Sequence, residues 1–338
     1  MPISTQVQLV SRPTGWPTDE NFRTVQVDLP DLADGEVRVR NEFMSVDPYM
    51  RGRMNEGRSY TPPFPLGETM TGAAVGRVVE SRSDTLAEGD LVLHQYGWRD
   101  IAQAEAAQFR PVQPLEGISP SAYLGTLGMT GLTAYAGLLK VAKMQPGETV
   151  FVSGAAGAVG TAVGQIAHLK GAGRVIGSAG TDEKVALLTE RYGYDAAFNY
   201  KKGPVLEQLR AAAPDGIDVF FDNVGGDHLE AALDSFNDGG RAALCGAISQ
   251  YNSTEATPGP RNMTNLVTRR LTLEGFIVGF HAQHMPEFIS EMGPWLTSGD
   301  VVSDETVVDG LENSVEAFLG LMRGENTGKM VVRIGAAG

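Results

Sequence analysis

The chain has 338 residues, 42% of them hydrophobic and 20% charged, which is enough for two domains with sizeable cores. Its 41 Asp and Glu against 27 Lys and Arg give a formal charge of −14, which repels nucleic acid and anionic membrane over most of the surface. No apolar run reaches bilayer length, residues 1–6 lack a basic stretch leading into an apolar one, and the lone Cys245 excludes an internal disulfide or a thiolate zinc cluster, so a cytoplasmic protein is expected.

To about Leu124, short β-like runs at 36–41, 73–80 and 90–94 are separated by turn residues, which predicts a mostly β region. From about Gly125 helix and strand alternate. A Gly/Ala-rich helix is predicted over 130–143, then a strand ending near Val152, a helix after Gly160, a strand over 174–180 and a helix over 182–192. Strands near 196–199 and 218–223, a helix near 227–236, and strands at Ala242 and over 271–276 follow; beyond about Gly299 come a helix over 311–322 and a strand over 329–334. Such alternation predicts an α/β fold with a doubly wound parallel sheet. The domains expected are 1–124, 125–299, and 300–338 returning to the first. The loop 250–265, rich in Pro, Asn, Ser and Thr, is long enough to be functional.

The β-branched run Thr149-Val150-Phe151-Val152 enters a turn in which Gly154, Gly157 and Gly160 are spaced by threes, with Ala156, Ala158 and Val159 between them. Val159, Ala162, Val163, Ile166 and Ala167 then fall on one helix face. Strand, glycine turn and helix in that order predict a dinucleotide site, with a pyrophosphate against backbone N–H groups at the helix N-terminus. The second strand, Arg174-Val175-Ile176-Gly177-Ser178-Ala179-Gly180, ends without the carboxylate that usually holds an NAD ribose. Thr181 is placed as an N-cap, and Lys184 stands one turn in, able to point back at a phosphate. NADPH is the cofactor expected. The alternative is a solvated Lys184, with Asp182 or Glu183 serving an NAD ribose.

Ser45-Val46-Asp47-Pro48-Tyr49-Met50-Arg51, Gly128-Met129-Thr130-Gly131-Leu132-Thr133-Ala134-Tyr135, Phe221-Asp222-Asn223-Val224-Gly225-Gly226, Cys245-Gly246-Ala247-Ile248-Ser249-Gln250-Tyr251-Asn252 and Gly328-Lys329-Met330 carry a resemblance that covers nearly the whole chain. In combination they resemble the zinc-free branch of the medium-chain dehydrogenase/reductase superfamily, with its leukotriene hydroxydehydrogenase/prostaglandin reductases, plant double-bond reductases and curcumin reductases. The resemblance implies a Rossmann-like domain beside a mostly β, GroES-like catalytic domain. Thr130 departs from the branch, which usually has proline there.

The resemblance also implies residue roles. Tyr251 would contact the substrate carbonyl, and Tyr49 would line the cleft, although a tyrosine simply packed in a Pro-containing turn reads equally well. Lys184 and Tyr200 would hold the 2′-phosphate, Asn223 the turn over the nicotinamide side, Thr133 the neighbourhood of the phosphates, and Asn326 the closing C-terminal segment near the nicotinamide. Both asparagines lie near glycines, where Asn is also favoured for turn geometry alone. Ser178 and the glycine-turn residues complete the cofactor set. Cys245, in a strand-like run, reads as a small core residue.

Where zinc-dependent relatives carry Cys and His ligands, this chain resembles them with Met44 or Ser45, and with Gly67 before Glu68. His281 and His284 could chelate a metal but lack an evident third ligand, so no metal is expected. Hydride delivery to a plain carbonyl needs a metal or a strong acid. Addition to a conjugated alkene puts the charge on a delocalised enolate, which needs only one or two hydrogen-bond donors. The expectation is an NADPH-dependent reductase of α,β-unsaturated ketones or aldehydes, with Tyr251 as enolate stabiliser and either Tyr251 or water as proton source. Rival readings are a zinc-free NADPH quinone reductase and a catalytically silent NADPH-binding protein. The apolar run 271–276 resembles the edge strand through which relatives pair, so a homodimer is expected.

Overall fold

In the computed structural model, which describes residues 2–335, the β-branched runs of the first 124 residues form short antiparallel strands. These are β1 (Ile3–Leu9), β2 (Phe22–Asp28), β3 (Glu36–Ser45), β4 (Ala74–Ser81), β5 (Leu91–His94), β6 (Ile101–Glu105) and β7 (Arg110–Pro111), with the short helix α1 (Tyr49–Arg53) after β3. The later helices and strands alternate: α2 (Met129–Ala136), β8 (Thr149–Val152), α3 (Ala158–Leu169), β9 (Arg174–Ala179), α4 (Asp182–Arg191), β10 (Ala196–Asn199), α5 (Val205–Ala212), β11 (Ile217–Asp222), α6 (Gly226–Ser235), β12 (Phe236–Leu244), α7 (Thr264–Thr268), β13 (Thr272–Gly275) and α8 (Met285–Ser298). The chain closes with β14 (Glu305–Asp309), α9 (Ser314–Arg323) and β15 (Lys329–Arg333). Two compact units result among the described residues, one of residues 2–124, 305–326 and 330–335, the other of residues 125–304 and 327–329.

In the first unit the strand order is β14-β15-β3-β4-β5-β7, with β6 also on β3, and β1 and β2 form a separate antiparallel pair. The C-terminal strand belongs here by register, Val331 facing Ser45. Val37, Val39, Val78, Val92 and Phe109 form one buried cluster of this unit.

The second unit holds a parallel sheet in the order β10-β9-β8-β11-β12-β13. This is the doubly wound arrangement expected from the alternation, and it aligns the C-terminal ends of all six strands along one edge, where such sheets bind ligands. Phe151 and Phe220 stack at 5.0 Å in its core, beside Ile176, Leu209 and Leu233. On α3, Ala162, Val163, Ile166 and Ala167 are buried as predicted, while Val159 is only partly covered. Gly164 and Gly177 open a slot for the Tyr194 ring; a Cβ at Gly164 would lie 2.1 Å from it. The Tyr194 hydroxyl donates to the Gly160 carbonyl at 2.6 Å, fixing the first turn of α3 to the sheet.

Four features differ from expectation or were not foreseen. The helix predicted over 130–143 gives way after Ala136 to a π-turn, Gly137–Val141. A Cβ at Gly137 would strike Phe221 and Phe276 at 2.5 Å, so the chain passes there against aromatic rings. The helix α8 carries Pro286 at its start and Pro294 inside it, which hides it from propensity, yet Phe288, Met292 and Leu296 recur at i, i+4 and i+8 and are buried. The pair β1 and β2 and the helix α5 also form without a strong sequence signal. Among the described residues no helix is long and apolar enough to cross a membrane.

Two enclosed histidines set an acid limit on this fold. His94 lies edge-on to Phe109 at 5.0 Å, and burial with the nearby Arg99 charge pushes its pKa down to about 3. His228 lies between Phe151 and Tyr200, and burial pushes it down to about 4. Both are neutral in the folded chain, whereas the unfolded chain protonates near pH 6.5, so below that pH the unfolded state binds more protons. Stability is therefore expected to fall by about 2 kcal/mol per histidine between pH 7 and pH 5. Urea melts across this range, with His94→Gln and His228→Gln each shrinking the loss, check it.

Candidate active site

The strand β8 ends at the glycine turn, where the three glycines have separable reasons. Gly154 takes a positive φ of 58°, which reverses the chain after Ser153. At Gly160 a Cβ would lie 2.6 Å from Ala155 and the Gly154 carbonyl, so glycine is required for the first turn of α3 to close on the turn before it. At Gly157, the N-cap of α3, a Cβ would meet nothing of this chain nearer than 3.5 Å. Packing within the chain therefore does not demand glycine there. Ala156 is buried and its carbonyl accepts from Gly328 N at 2.9 Å, so the returning segment 327–329 lies along the turn. Ala158 and Val159 begin α3 beside it, partly exposed.

The next strand ends at Ala179, and no carboxylate stands at its tip. Ser178 is enclosed, its hydroxyl without a hydrogen-bond partner among the described residues. Thr181 caps α4 as predicted, its hydroxyl accepting from Lys184 N at 3.3 Å. The Lys184 ammonium is held below its ordinary pKa by burial and then by the charge of Lys201. Tyr200 is partly exposed, and its hydroxyl comes to 3.1 Å from where a Gly180 Cβ would stand, with Lys201 Cε at 3.4 Å from the same point. Lys201 is a residue that sequence reasoning passed over, although it follows Tyr200 directly.

Strands β11 and β12 contribute the rest of the edge. Asp222, nearly fully buried, accepts on Oδ1 from Ser153 Oγ at 2.8 Å and from Val224 N and Gly225 N at 2.9 Å. Burial raises its pKa while those donors oppose the rise. Asn223 Nδ2 donates to the Ser153 carbonyl at 2.8 Å, so its amide ties the end of β11 to the end of β8. Ser153 and Asp222 were not singled out by the sequence; both adjoin residues that were.

After β12 the chain turns through Cys245 and Gly246 to Tyr251. The Tyr251 side chain folds back over that turn, its hydroxyl oxygen accepting from Ala247 N at 3.4 Å. Burial is the main cause that raises its pKa, and Cys245 and Asp222 add to it. Tyr251 therefore remains a protonated phenol at neutral pH. Asp222, Gly225, Cys245 and Tyr251 line one side of a cleft of about 480 Å³, and Thr257-Pro258-Gly259-Pro260 of the long loop line the other. That loop is anchored on α6: Asn262 Nδ2 donates to the Glu230 carbonyl and Asn265 Nδ2 to the Leu233 carbonyl. Cys245 faces this cleft, and burial followed by Asp222 pushes its thiol up to about 12.

Thr133 lies inside α2, with its hydroxyl donating to the Met129 carbonyl at 2.7 Å. Thr130, in the first turn of that helix, has a buried hydroxyl without a hydrogen-bond partner among the described residues. Tyr49 and Asn326 belong to the other unit. Tyr49 opens α1; burial and then the Asp47 carboxylate raise its pKa, and Arg53 opposes them. Asn326 is buried just before the chain crosses back.

The zinc positions of metal-dependent relatives do not fit a metal here. Met44 is fully buried in β3, Ser45 Oγ donates to Asp47, and Gly67 occupies a tight turn at φ 77°. His281 and His284 stack at 6.1 Å, with His284 directed to Glu287, and among the described residues no group of three or more His, Cys, Asp or Glu could hold a metal.

Comparison with known proteins agrees with this arrangement. Residues 5–112 match the family model described as the N-terminal domain of oxidoreductase, and residues 158–293 the model described as zinc-binding dehydrogenase. The chain is 42% identical to the NADPH-dependent curcumin reductase of Escherichia coli (96% of this chain, 95% of the relative) and 43% identical to prostaglandin reductase 1 of Mus musculus (94% and 95%). A solved structure, CurA of Vibrio vulnificus in complex with NADPH, superposes with a TM-score of 0.93 at 41% identity, covering 98% of this chain and 99% of that one. With relatives this similar along nearly its whole length, the chain belongs to the medium-chain dehydrogenase/reductase superfamily, in the zinc-free branch that holds curcumin reductase and prostaglandin reductase.

Proposed function

We propose that the protein reduces the carbon–carbon double bond of α,β-unsaturated ketones and aldehydes with NADPH, without zinc. The observation that carries this reading is Tyr251, a protonated phenol lining the cleft at the C-terminal edge of the parallel sheet. The relatives named NADPH-dependent curcumin reductase and prostaglandin reductase 1 support it. The second unit would bind the cofactor and the first, with Tyr49, would supply the catalytic β domain.

NADPH, when bound, supplies the hydride. The glycine turn offers its backbone N–H groups and the α3 N-terminus to the pyrophosphate, with Gly157 leaving room. Lys184 and Tyr200 hold the 2′-phosphate. Asn223, Thr133, Ser178 and Asn326 complete the cofactor contacts, Asn223 by fixing the β11 turn. Tyr251 donates a hydrogen bond to the substrate carbonyl as hydride reaches the β carbon, stabilising the enolate; the α carbon then takes a proton from solvent or through the phenol. Tyr49 packs against the flat substrate. Incubation with NADPH and a simple enone is expected to give the saturated ketone. Allylic alcohol, or turnover confined to simple quinones, would overturn the assignment.

The protein also pairs as a homodimer in the cytoplasm. In support, β13 ends the parallel sheet with one edge unpaired, and Phe280 beside it is 78% exposed, next to a hollow lined by Leu244, Phe276 and Ile277. Light scattering on the purified protein is expected to give twice the chain mass, and Leu273→Lys on β13 to give a monomer; a wild-type monomer removes the proposal.

A further inference from the structure

Beyond Lys184 and Tyr200, the short turn that follows β10 does two things at the tip of β9. Asn199 caps it, its side-chain oxygen accepting from Lys201 N at 3.1 Å. Lys201 runs under the Tyr200 ring, Nζ 5.9 Å from its centroid, and reaches the Gly180 edge that the Tyr200 hydroxyl also reaches. Two ammonium groups, Lys184 and Lys201, are thereby brought within electrostatic reach of each other beside a phenol, an arrangement that an anion relieves.

The other half of the turn faces Asp182, the first residue of α4 and the carboxylate nearest in sequence to the strand tip. Its two oxygens are both engaged, Oδ1 by Asn199 Nδ2 at 2.9 Å and Oδ2 by Lys202 Nζ at 2.5 Å. A carboxylate at this place would otherwise accept from a ribose hydroxyl and repel an added phosphate.

We propose that the Asn199–Lys202 turn is the element that selects the phosphorylated cofactor: Lys201 is a second phosphate-binding cation, and Lys202 with Asn199 is a positioning clamp that keeps Asp182 from serving an unphosphorylated ribose. The proposal rests on the NADPH reading above. It adds that selectivity comes from both attraction and a disarmed competitor, which explains why an acidic residue is tolerated two positions after Gly180.

Calorimetric titration with adenosine 2′,5′-bisphosphate and with adenosine 5′-monophosphate tests it without turnover. The wild-type chain is expected to favour the bisphosphate; if it does not, the NADPH reading itself fails. Lys201→Gln is expected to weaken the bisphosphate on the order of tenfold with the monophosphate unchanged, and Lys201→Arg to restore it. Lys202→Met is expected to narrow the preference by about fivefold, and adding Asp182→Asn to bring it back. If Lys201→Gln and Lys202→Met both keep the wild-type ratio while Lys184→Gln loses it, the turn is only scaffolding and the proposal falls.

Discussion

Tyr251→Phe is expected to lower kcat for enone reduction about a hundredfold, the scale of losing one positioned donor to a developing oxyanion. The Kd for NADPH should stay within about twofold, because the phenol acts on the substrate and the glycine turn is left intact. The substitution removes one oxygen and strands only the Ala247 N–H, whose bond to it is long at 3.4 Å, so melting temperature should barely move. A loss of rate without a loss of fold or of cofactor affinity is what separates a donor to the enolate from a packed aromatic. The pH profile adds a second readout. The donor form is lost as pH rises through the folded pKa, and burial holds that pKa above its ordinary value near 10. The wild-type rate attributable to Tyr251 should therefore persist to about pH 10 before it declines. Stopped-flow single turnovers measure both effects; a Phe variant as fast as wild type would move the role to another group.

Much of the second unit was legible because its physics is local. The β8–α3 unit declares itself through strand residues, three glycines and a buried face at Ala162, Val163, Ile166 and Ala167. The Thr181 cap and the place of Lys184 one turn later follow from side-chain chemistry within four residues. What stayed hidden depends on groups far apart in sequence. Ser153 and Asp222 are separated by 69 residues and meet only because β8 and β11 are parallel neighbours. Helix α8 was concealed by Pro294 and is held by tertiary burial of Phe288 and Met292. The engagement of Asp182 by Lys202 needed the β9–β10 pairing before it could be seen. In the first unit, Tyr49 shows the reverse case, a residue placed by motif alone whose burial suits packing and cleft lining alike.

The glycine turn allows fold and ligand binding to be separated by single methyl groups. Gly160→Ala places a Cβ 2.6 Å from backbone atoms of Ala155 and Gly154, which cannot yield as a flexible side chain would, so the first turn of α3 must shift away from the glycine turn. The expected cost is about 2 to 3 kcal/mol, in the range of overpacking a closed contact, and both melting temperature and NADPH affinity fall together. Gly157→Ala has no such conflict, its nearest neighbour being a carbonyl oxygen at 3.5 Å. Replacing glycine by alanine at an N-cap should cost less than about 1 kcal/mol. Yet the added methyl stands where the pyrophosphate would lie on the α3 N-terminus, so NADPH affinity is expected to drop by about tenfold or more while urea stability stays near wild type. Fluorescence titration with NADPH alongside urea melts compares the two. Equal affinity in Gly157→Ala and wild type would mean that the phosphates pass elsewhere and that this glycine is only a turn residue; the opposite result ties the cofactor to a position that neither packing nor a positive φ reserves for glycine.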